Sequence, residues 1–435
     1  MELTQLGSLF KCNKCGSCTS VCPLYQQTVY EGMAARGKLA LLEASVEGRL
    51  DAPQAVRAKL EDCLLCGACA SNCPSFVPTT DLFLEARASL ARELGIPLPI
   101  RLLLRALATP ALMELGTPPL HLLQRSGLPA LVAGRVGNAM QEATSPKFGS
   151  PTLAEVLRAA ARSAPPVPLR SFRSRVARLR DNGSGTRGTV AYFAGCFMNW
   201  GYADAAEATR QLLVRAGFRV EVPAVACCGV PHRAYGDTEA ALSLARRNVE
   251  ALDGYERVVT DCASCGAALK EYRHLLADDP AFRDRAEALS ARSSDISEFL
   301  VKHELPRPEG STPLRVTYHD PCHLVRLQGI KAEPRQLLKA IPGLNFVEMK
   351  EADVCCGASG SFCVTHPALS ERVGSAKAEN ILATGADVVV SGCPSCLTQL
   401  RAMLGARGAT IRVCHPSELL AESFRTSRSL TSPKP

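Results

Sequence analysis

Beyond about residue 186 the chain alternates short β-branched, apolar runs with longer stretches in which apolar positions recur every three or four residues. The short runs fit strands and the longer period fits helices with one apolar stripe. On this pattern Thr189 to Ala194, Arg219 to Val222 and Arg257 to Thr260 are strands. Asp204 to Ala216, Thr238 to Leu252 and Gly266 to Leu276 are helices. The order then returns, with strands over Leu314 to Tyr318, Asn345 to Glu348 and Asp387 to Val390. The matching helices run over Pro334 to Ile341, Pro367 to Thr384 and Pro394 to Leu404. Strands that alternate with helices predict parallel sheets with helices on their faces.

The cysteines repeat with the elements. Cys196, the pair Cys227-Cys228-Gly229 and Cys262-Ala-Ser-Cys265 recur, at a nearly constant offset, as Cys322, Cys355-Cys356-Gly357 and Cys393-Pro-Ser-Cys396. Two homologous lobes follow. Most of these cysteines close an apolar run, and ligands of open α/β sheets gather outside the carboxyl ends of strands, so each lobe can bring five thiols to one point. Adjacent cysteines in a regular strand face opposite sides. Gly229 and Gly357 permit a turn that lets both members of a pair serve one site. Five thiols exceed the needs of a single tetrahedral zinc; an iron–sulfur site is favoured, with zinc, free thiols or a disulfide as the alternatives.

The first 95 residues hold a different pattern. Cys12-x2-Cys15-x2-Cys18-x3-Cys22-Pro23 and Cys63-x2-Cys66-x2-Cys69-x3-Cys73-Pro74 both fit the bacterial two-cluster ferredoxin spacing. Three thiols at that spacing surround one cube, and the fourth, before proline, serves the other. Cys12, Cys15, Cys18 and Cys73 are therefore expected to hold one [4Fe–4S] cluster, and Cys22, Cys63, Cys66 and Cys69 a second. Structural zinc is the bland alternative, and two such triplets each followed by Cys-Pro are unusual for it.

The whole reads as an α+β multidomain chain. A mainly helical two-cluster ferredoxin-type domain spans 1–95, a helical connector and linker 96–185, and two duplicated α/β Cys-Cys-Gly lobes with parallel sheets 186–310 and 311–425. The linker is marked by Ala164-Pro165-Pro166-Val167-Pro168 and by Asp181-Asn182-Gly183-Ser184-Gly185. Cys363 and Cys414 fall outside the repeat and read as buried thiols. His319 and His323 flank Cys322 and could tune or ligate a cluster, but a packing or supporting role is favoured for them and for His232.

Composition narrows the function classes. Lys and Arg exceed Asp and Glu by 8, but they are dispersed and form no basic run with aromatics, so nucleic acid is not an expected partner. Twenty cysteines in a long chain without an export signal point to metal or redox work rather than a disulfide scaffold. No Gly-x-Gly-x-x-Gly follows a strand and no phosphate-binding loop occurs, so flavin or nicotinamide must sit on another chain. No catalytic residue and no substrate site are expected here. The apolar region Ile96 to Ala133 is interrupted by Arg101, Arg105, Glu114, His121 and Arg125 and is too broken to span a membrane. Helical packing between domains is the expectation for it, with a docking face as the sharper reading.

Cys227-Cys228-Gly229-Val-Pro231, Asp261-Cys262-Ala-Ser-Cys265-Gly266, Tyr318-His319-Asp320-Pro321-Cys322-His323 and Cys355-Cys356-Gly357-Ala-Ser-Gly360, behind a two-cluster domain, resemble the iron–sulfur subunit of glycolate oxidase. Related lactate-utilisation and heterodisulfide reductase proteins are similar in the same stretches. The resemblance implies an oxidoreductase subunit that passes electrons from an FAD-containing glycolate or lactate dehydrogenase to a membrane quinone, a cytochrome or another acceptor. With the N-terminal reading of an unexported chain, a cytoplasmic location is expected, peripheral on the inner membrane face if the acceptor lies there. For heterodisulfide reductases it implies noncubane clusters that act on a disulfide, and both five-cysteine sets are complete here. Lobe 1 would then use Cys196, Cys227, Cys228, Cys262 and Cys265, and lobe 2 Cys322, Cys355, Cys356, Cys393 and Cys396.

Overall fold

A computed structural model describes residues 6–126, 159, 164–165, 167–179 and 182–425. Much of the predicted connector, including 127–158, and the sequence after 425 lie outside the described residues.

Eight strands form two four-stranded parallel sheets. Strands β1 (Thr189–Tyr192), β2 (Arg219–Glu221), β3 (Val258–Thr260) and β4 (Ser293–Asp295) build the first, in the order β2-β1-β3-β4. Strands β5 (Arg315–Tyr318), β6 (Asn345–Phe346), β7 (Val388–Val390) and β8 (Arg412–Cys414) build the second, in the order β6-β5-β7-β8. The identical order and pairing confirm the repeat. Registers such as Val190↔Val220 and Val316↔Phe346 set apolar side chains in layers, and Val258, Val259, Val388 and Val389 are fully buried. Both faces of such strands are covered, so they read as continuous apolar runs. In each sheet the chain steps from the inner strand to one side and then crosses to the other. The reversal lies between β1 and β3 and between β5 and β7, where a crevice opens at the carboxyl ends.

The sheets share one apolar core that runs from Phe172 to Ala421 and includes Val190, Phe218, Leu269, Val316, Leu338 and Leu397. Specific bonds fix the lobes together. Ala263 N–H donates to Gly392 O at 3.0 Å, Tyr202 Oη and Thr398 Oγ1 share a bond of 2.7 Å, and His415 Nε2 donates to Asp261 O at 2.8 Å. The bond from Ala263 has no mirror image, because its counterpart Pro394 carries no N–H.

Residues 6–95 are helical. Thr79–Leu94 places Leu82, Phe83, Ala86 and Leu90 on one stripe, which packs with Leu39, Leu42, Val56 and Leu60. A second apolar cluster joins this part to lobe 2: Leu24, Met33 and Leu64 meet Phe362, Leu369 and Val373. Arg87 joins it to lobe 1, its Nη1 donating to Ala234 O at 2.8 Å and its Nη2 to Cys63 O at 2.9 Å.

The connector helices Leu98–Ala108 and Pro110–Arg125 pack on one side only. Leu104 is buried, but Leu102, Leu115 and Leu122 are exposed at 59%, 77% and 63%, so packing between domains explains only part of this stretch. Gln124 holds the start of the predicted linker, its Nε2 donating to Pro165 O at 2.9 Å and its Oε1 accepting from Val167 N at 2.9 Å. Among the described residues no helix is long and apolar enough to cross a membrane.

Candidate functional site

The two N-terminal runs interleave. Gly16 (φ 85°) and Gly67 (φ 75°) each cap a short helix in the left-handed region, which turns the loop so that its thiols face inward. One cavity is lined by Cys12, Cys15, Cys18 and Cys73, and the next by Cys22, Cys63 and Cys66, with Cys69 bordering both. Each triplet thus meets the fourth cysteine of the other run. Cys15 is exposed, which makes the first cavity the outer one. Burial, and then the nearby Cys63, push the Cys69 thiol up to about 12. A thiol held so high loses its proton when it binds a metal cation, and this donor set suits an iron–sulfur core.

The lobe thiols form one string. Cys196 Sγ lies 4.0 Å from Cys227 Sγ. Cys228 touches both Cys227 and Cys265, and Cys262 touches Cys265. Lobe 2 repeats this with Cys322 against Cys355, Cys355 against Cys356, and Cys356 and Cys393 against Cys396. Cys262 and Cys393 then join the two sets across the lobe interface. Cys196 and Cys322 begin helices directly after β1 and β5, and Cys262 and Cys393 cap helices directly after β3 and β7. All four therefore stand at the strand-order reversals. Gly229 (φ 87°) and Gly357 (φ 85°) supply the left-handed turn behind each Cys-Cys pair.

The outer and inner thiols also meet. Cys66 is partly buried and faces Cys355 and Cys322 of lobe 2. A cavity of about 360 Å³ lies where all three parts come together, bordered by Cys63, Cys228, Cys262, Cys265, Cys322 and Cys393, among others. His323 opens onto it, and its Nδ1 lies 3.0 Å from Ser264 Oγ, which is 3.8 Å from Cys393 Sγ. Cys363 is buried at the cavity wall and Cys414 is buried within β8. His232 packs against a connector helix, its Nε2 donating to Leu104 O at 3.1 Å.

Two buried lysines carry no sequence motif. Lys38 Nζ donates to Gly32 O and Met33 O, each at 2.8 Å, beside the Cys22–Cys63 cavity. Lys377 donates to Glu351 O and Ala352 O, beside Cys355 and Cys356. Each occupies an apolar helix stripe, Ala35-Lys38-Leu39-Leu42 and Val373-Lys377-Ala378-Ile381, and that misfit was the available signal. Desolvation pulls both ammonium groups down, and a neighbouring anionic thiolate core offsets this.

A family model described as a 4Fe-4S dicluster domain matches residues 8–77, and one described as a cysteine-rich domain matches residues 190–270 and 316–401. The probable glycolate oxidase iron-sulfur subunit of Bacillus subtilis (strain 168) is 33% identical over 96% of this chain and 94% of its own length. The chain belongs to the glycolate oxidase iron–sulfur subunit family. Other family relatives match part of it. Lactate utilization protein A of Geobacillus thermodenitrificans is 35% identical over 53% of this chain and 98% of its own length. One subunit of the fumarate reductase (CoM/CoB) of Methanothermobacter marburgensis is 37% identical over 54% of this chain and 46% of its own length. Membership and the matched models make this an iron–sulfur oxidoreductase subunit, with clusters in its cysteine-rich parts.

One glycine guards the lobe 1 set. A Cβ on Gly195 would stand 2.6 Å from Cys265 Sγ, well inside contact distance. Gly195→Ala is expected to displace that thiol and deplete lobe 1 of metal while the N-terminal clusters persist. Iron per chain together with EPR of the reduced protein reads both effects.

Proposed function

We propose that this chain conducts electrons for the oxidation of a 2-hydroxy acid, glycolate or lactate, accepting them from an FAD-containing dehydrogenase. It delivers them to a membrane quinone, a cytochrome or another acceptor. The observation that carries this reading is the succession of thiol sets from exposed Cys15, through partly buried Cys66, to Cys322 and Cys355 and on to Cys262.

On this reading Cys12, Cys15, Cys18 and Cys73 hold one [4Fe–4S] cluster and Cys22, Cys63, Cys66 and Cys69 the next. The five thiols of each lobe hold a further iron–sulfur site. The working units are 1–95, 96–185, 186–310 and 311–425. Each cluster supplies one-electron storage with little change of geometry. The chain's own residues do the rest. Thiols fix the spacing, Met33, Leu64 and Phe362 pack apolar surface around the junction at Cys66, and Lys38 and Lys377 place positive charge beside the inner sets. The exposed Cys15 end is where a donor protein comes near. The relatives' names and the resemblance support this assignment of substrate class and partner. The proposed location is cytoplasmic, peripheral at the inner membrane face where a quinone is the acceptor.

The test is anaerobic mixing with glycolate or lactate. Bleaching of the iron–sulfur absorption is expected only when an FAD-containing 2-hydroxy-acid dehydrogenase is added. Bleaching by the acid alone would refute the proposal.

The shared cavity favours a second reading, reduction of a disulfide. A small molecule there reaches thiol sets of both lobes and His323. Turnover of a disulfide with a simple chemical reductant, and no flavoprotein, would select it.

A further inference from the structure

Lobe 2 departs from its duplicate at a position that faces the thiols. Three residues before Cys196 stands Phe193, and three before Cys322 stands His319. Each directly follows an inner strand, and each is fully buried. The phenyl ring is at home in the common apolar core. The imidazole is not: neither Nδ1 nor Nε2 has a hydrogen-bond partner among the described residues. An unsatisfied buried polar group is destabilising unless a partner is supplied.

The ring is aimed at sulfur. One of its nitrogens, Cys356 Sγ and Cys396 Sγ all lie within 4.8 Å of one another. They come from three separate elements: the end of β5, the Cys-Cys-Gly turn and the helix Pro394–Gly405. A neutral imidazole and thiolates form a donor set for zinc and for iron. The next thiols around the ring, Cys355 and Cys393, are weak acceptors for the second ring N–H.

We propose that His319 donates a ring nitrogen to the metal of lobe 2, so that this site is a mixed nitrogen–thiolate centre with Cys356 and Cys396, whereas lobe 1 offers thiols alone. The inference rests on the reading that the lobe thiols hold metal. A histidine donor carries less negative charge than a thiolate and raises the potential of an iron–sulfur centre. The ammonium of Lys377 beside the same thiols acts in the same direction, while its lobe 1 counterpart is the neutral Asn248, whose Nδ2 donates to Cys227 O at 3.0 Å. Lobe 2 is then the more readily reduced of the two, and the duplicated sites are unequal by construction.

The experiment uses the full chain, purified anaerobically with 15N-labelled histidine. Pulsed EPR is expected to show a strongly coupled 15N in one lobe signal; if the lobe metal is zinc, absorption at its edge is expected to show a nitrogen shell at about 2.0–2.1 Å. His319→Phe, which installs the lobe 1 residue, is expected to lose that nitrogen and lower the potential of one signal. His323→Phe is expected to keep both. Lobe metal with sulfur neighbours only in the unsubstituted protein overturns the proposal whatever the variants do, as does a coupling that survives His319→Phe. Metal confined to the N-terminal clusters overturns the underlying reading as well.

Discussion

Replacing Cys66 by Ser is expected to abolish electron flow from a flavoprotein donor into the lobes while leaving the lobes' own metal in place. Cys66 belongs to the second cavity and is the thiol that faces Cys322 and Cys355. A serine oxygen is a harder and poorer donor to iron than a thiolate, so the second cluster is lost or weakly held. The outer set, with Cys15 at the surface, keeps its four thiols and still accepts electrons. Stopped-flow reduction by the flavoprotein will then stop at one cluster, whereas a small chemical reductant will still reduce the lobe signals. Undiminished flux into the lobes would mean that electrons enter elsewhere. Replacing Cys228 by Ser is the complementary case and is expected to leave both N-terminal signals intact.

The second large effect concerns Arg87. Its guanidinium is buried, and besides Ala234 O and Cys63 O it donates to Leu60 O at 2.5 Å. These carbonyls belong to two different parts of the chain, so one side chain fastens the loop that carries Cys63 to lobe 1. Burial pulls its pKa down from the ordinary arginine value. A guanidinium still stays charged at any physiological pH. Arg87→Met removes all of these charge-assisted bonds and strands buried carbonyls, at a cost of about 3 kcal/mol. A fall in the melting temperature of the holoprotein, with faster iron loss from the second cavity than from the lobes, is the expected result. A loss of unfolding free energy below about 0.5 kcal/mol, the scale of ordinary surface substitutions, would show that the junction is held by the Leu24–Phe362 cluster instead.

The elements that carry the thiols were legible because their signals are local. Six strands and their helices follow from apolar period, and Thr238–Leu252 matches the predicted helix end for end. Strands β4 and β8 were not legible. Ser293–Asp295 has no apolar alternation; it is held by pairing with β3, by Ser293 Oγ donating to Leu289 O at 2.7 Å, and by Asp295 capping the next helix. The helix Ala263–Leu275 starts earlier than the expected Gly266 because Cys262 serves as its cap, so that Cys265 lies within the helix rather than just before it. Motif spacing located every cysteine set, yet it could not show that Cys262 meets Cys393 or that Cys66 meets Cys322, since these are encounters between parts distant in sequence. His319 looked like a packing residue because a sequence does not reveal whether a buried imidazole finds a partner.

The most direct test of a relay that runs the length of the molecule is iron, acid-labile sulfide and zinc per chain in anaerobically purified protein. About sixteen irons with matching sulfide and no zinc is the expected result, four for each N-terminal cluster and the remainder in the lobes. About eight irons with stoichiometric zinc would contradict it, leaving a two-cluster conductor beside structural lobes.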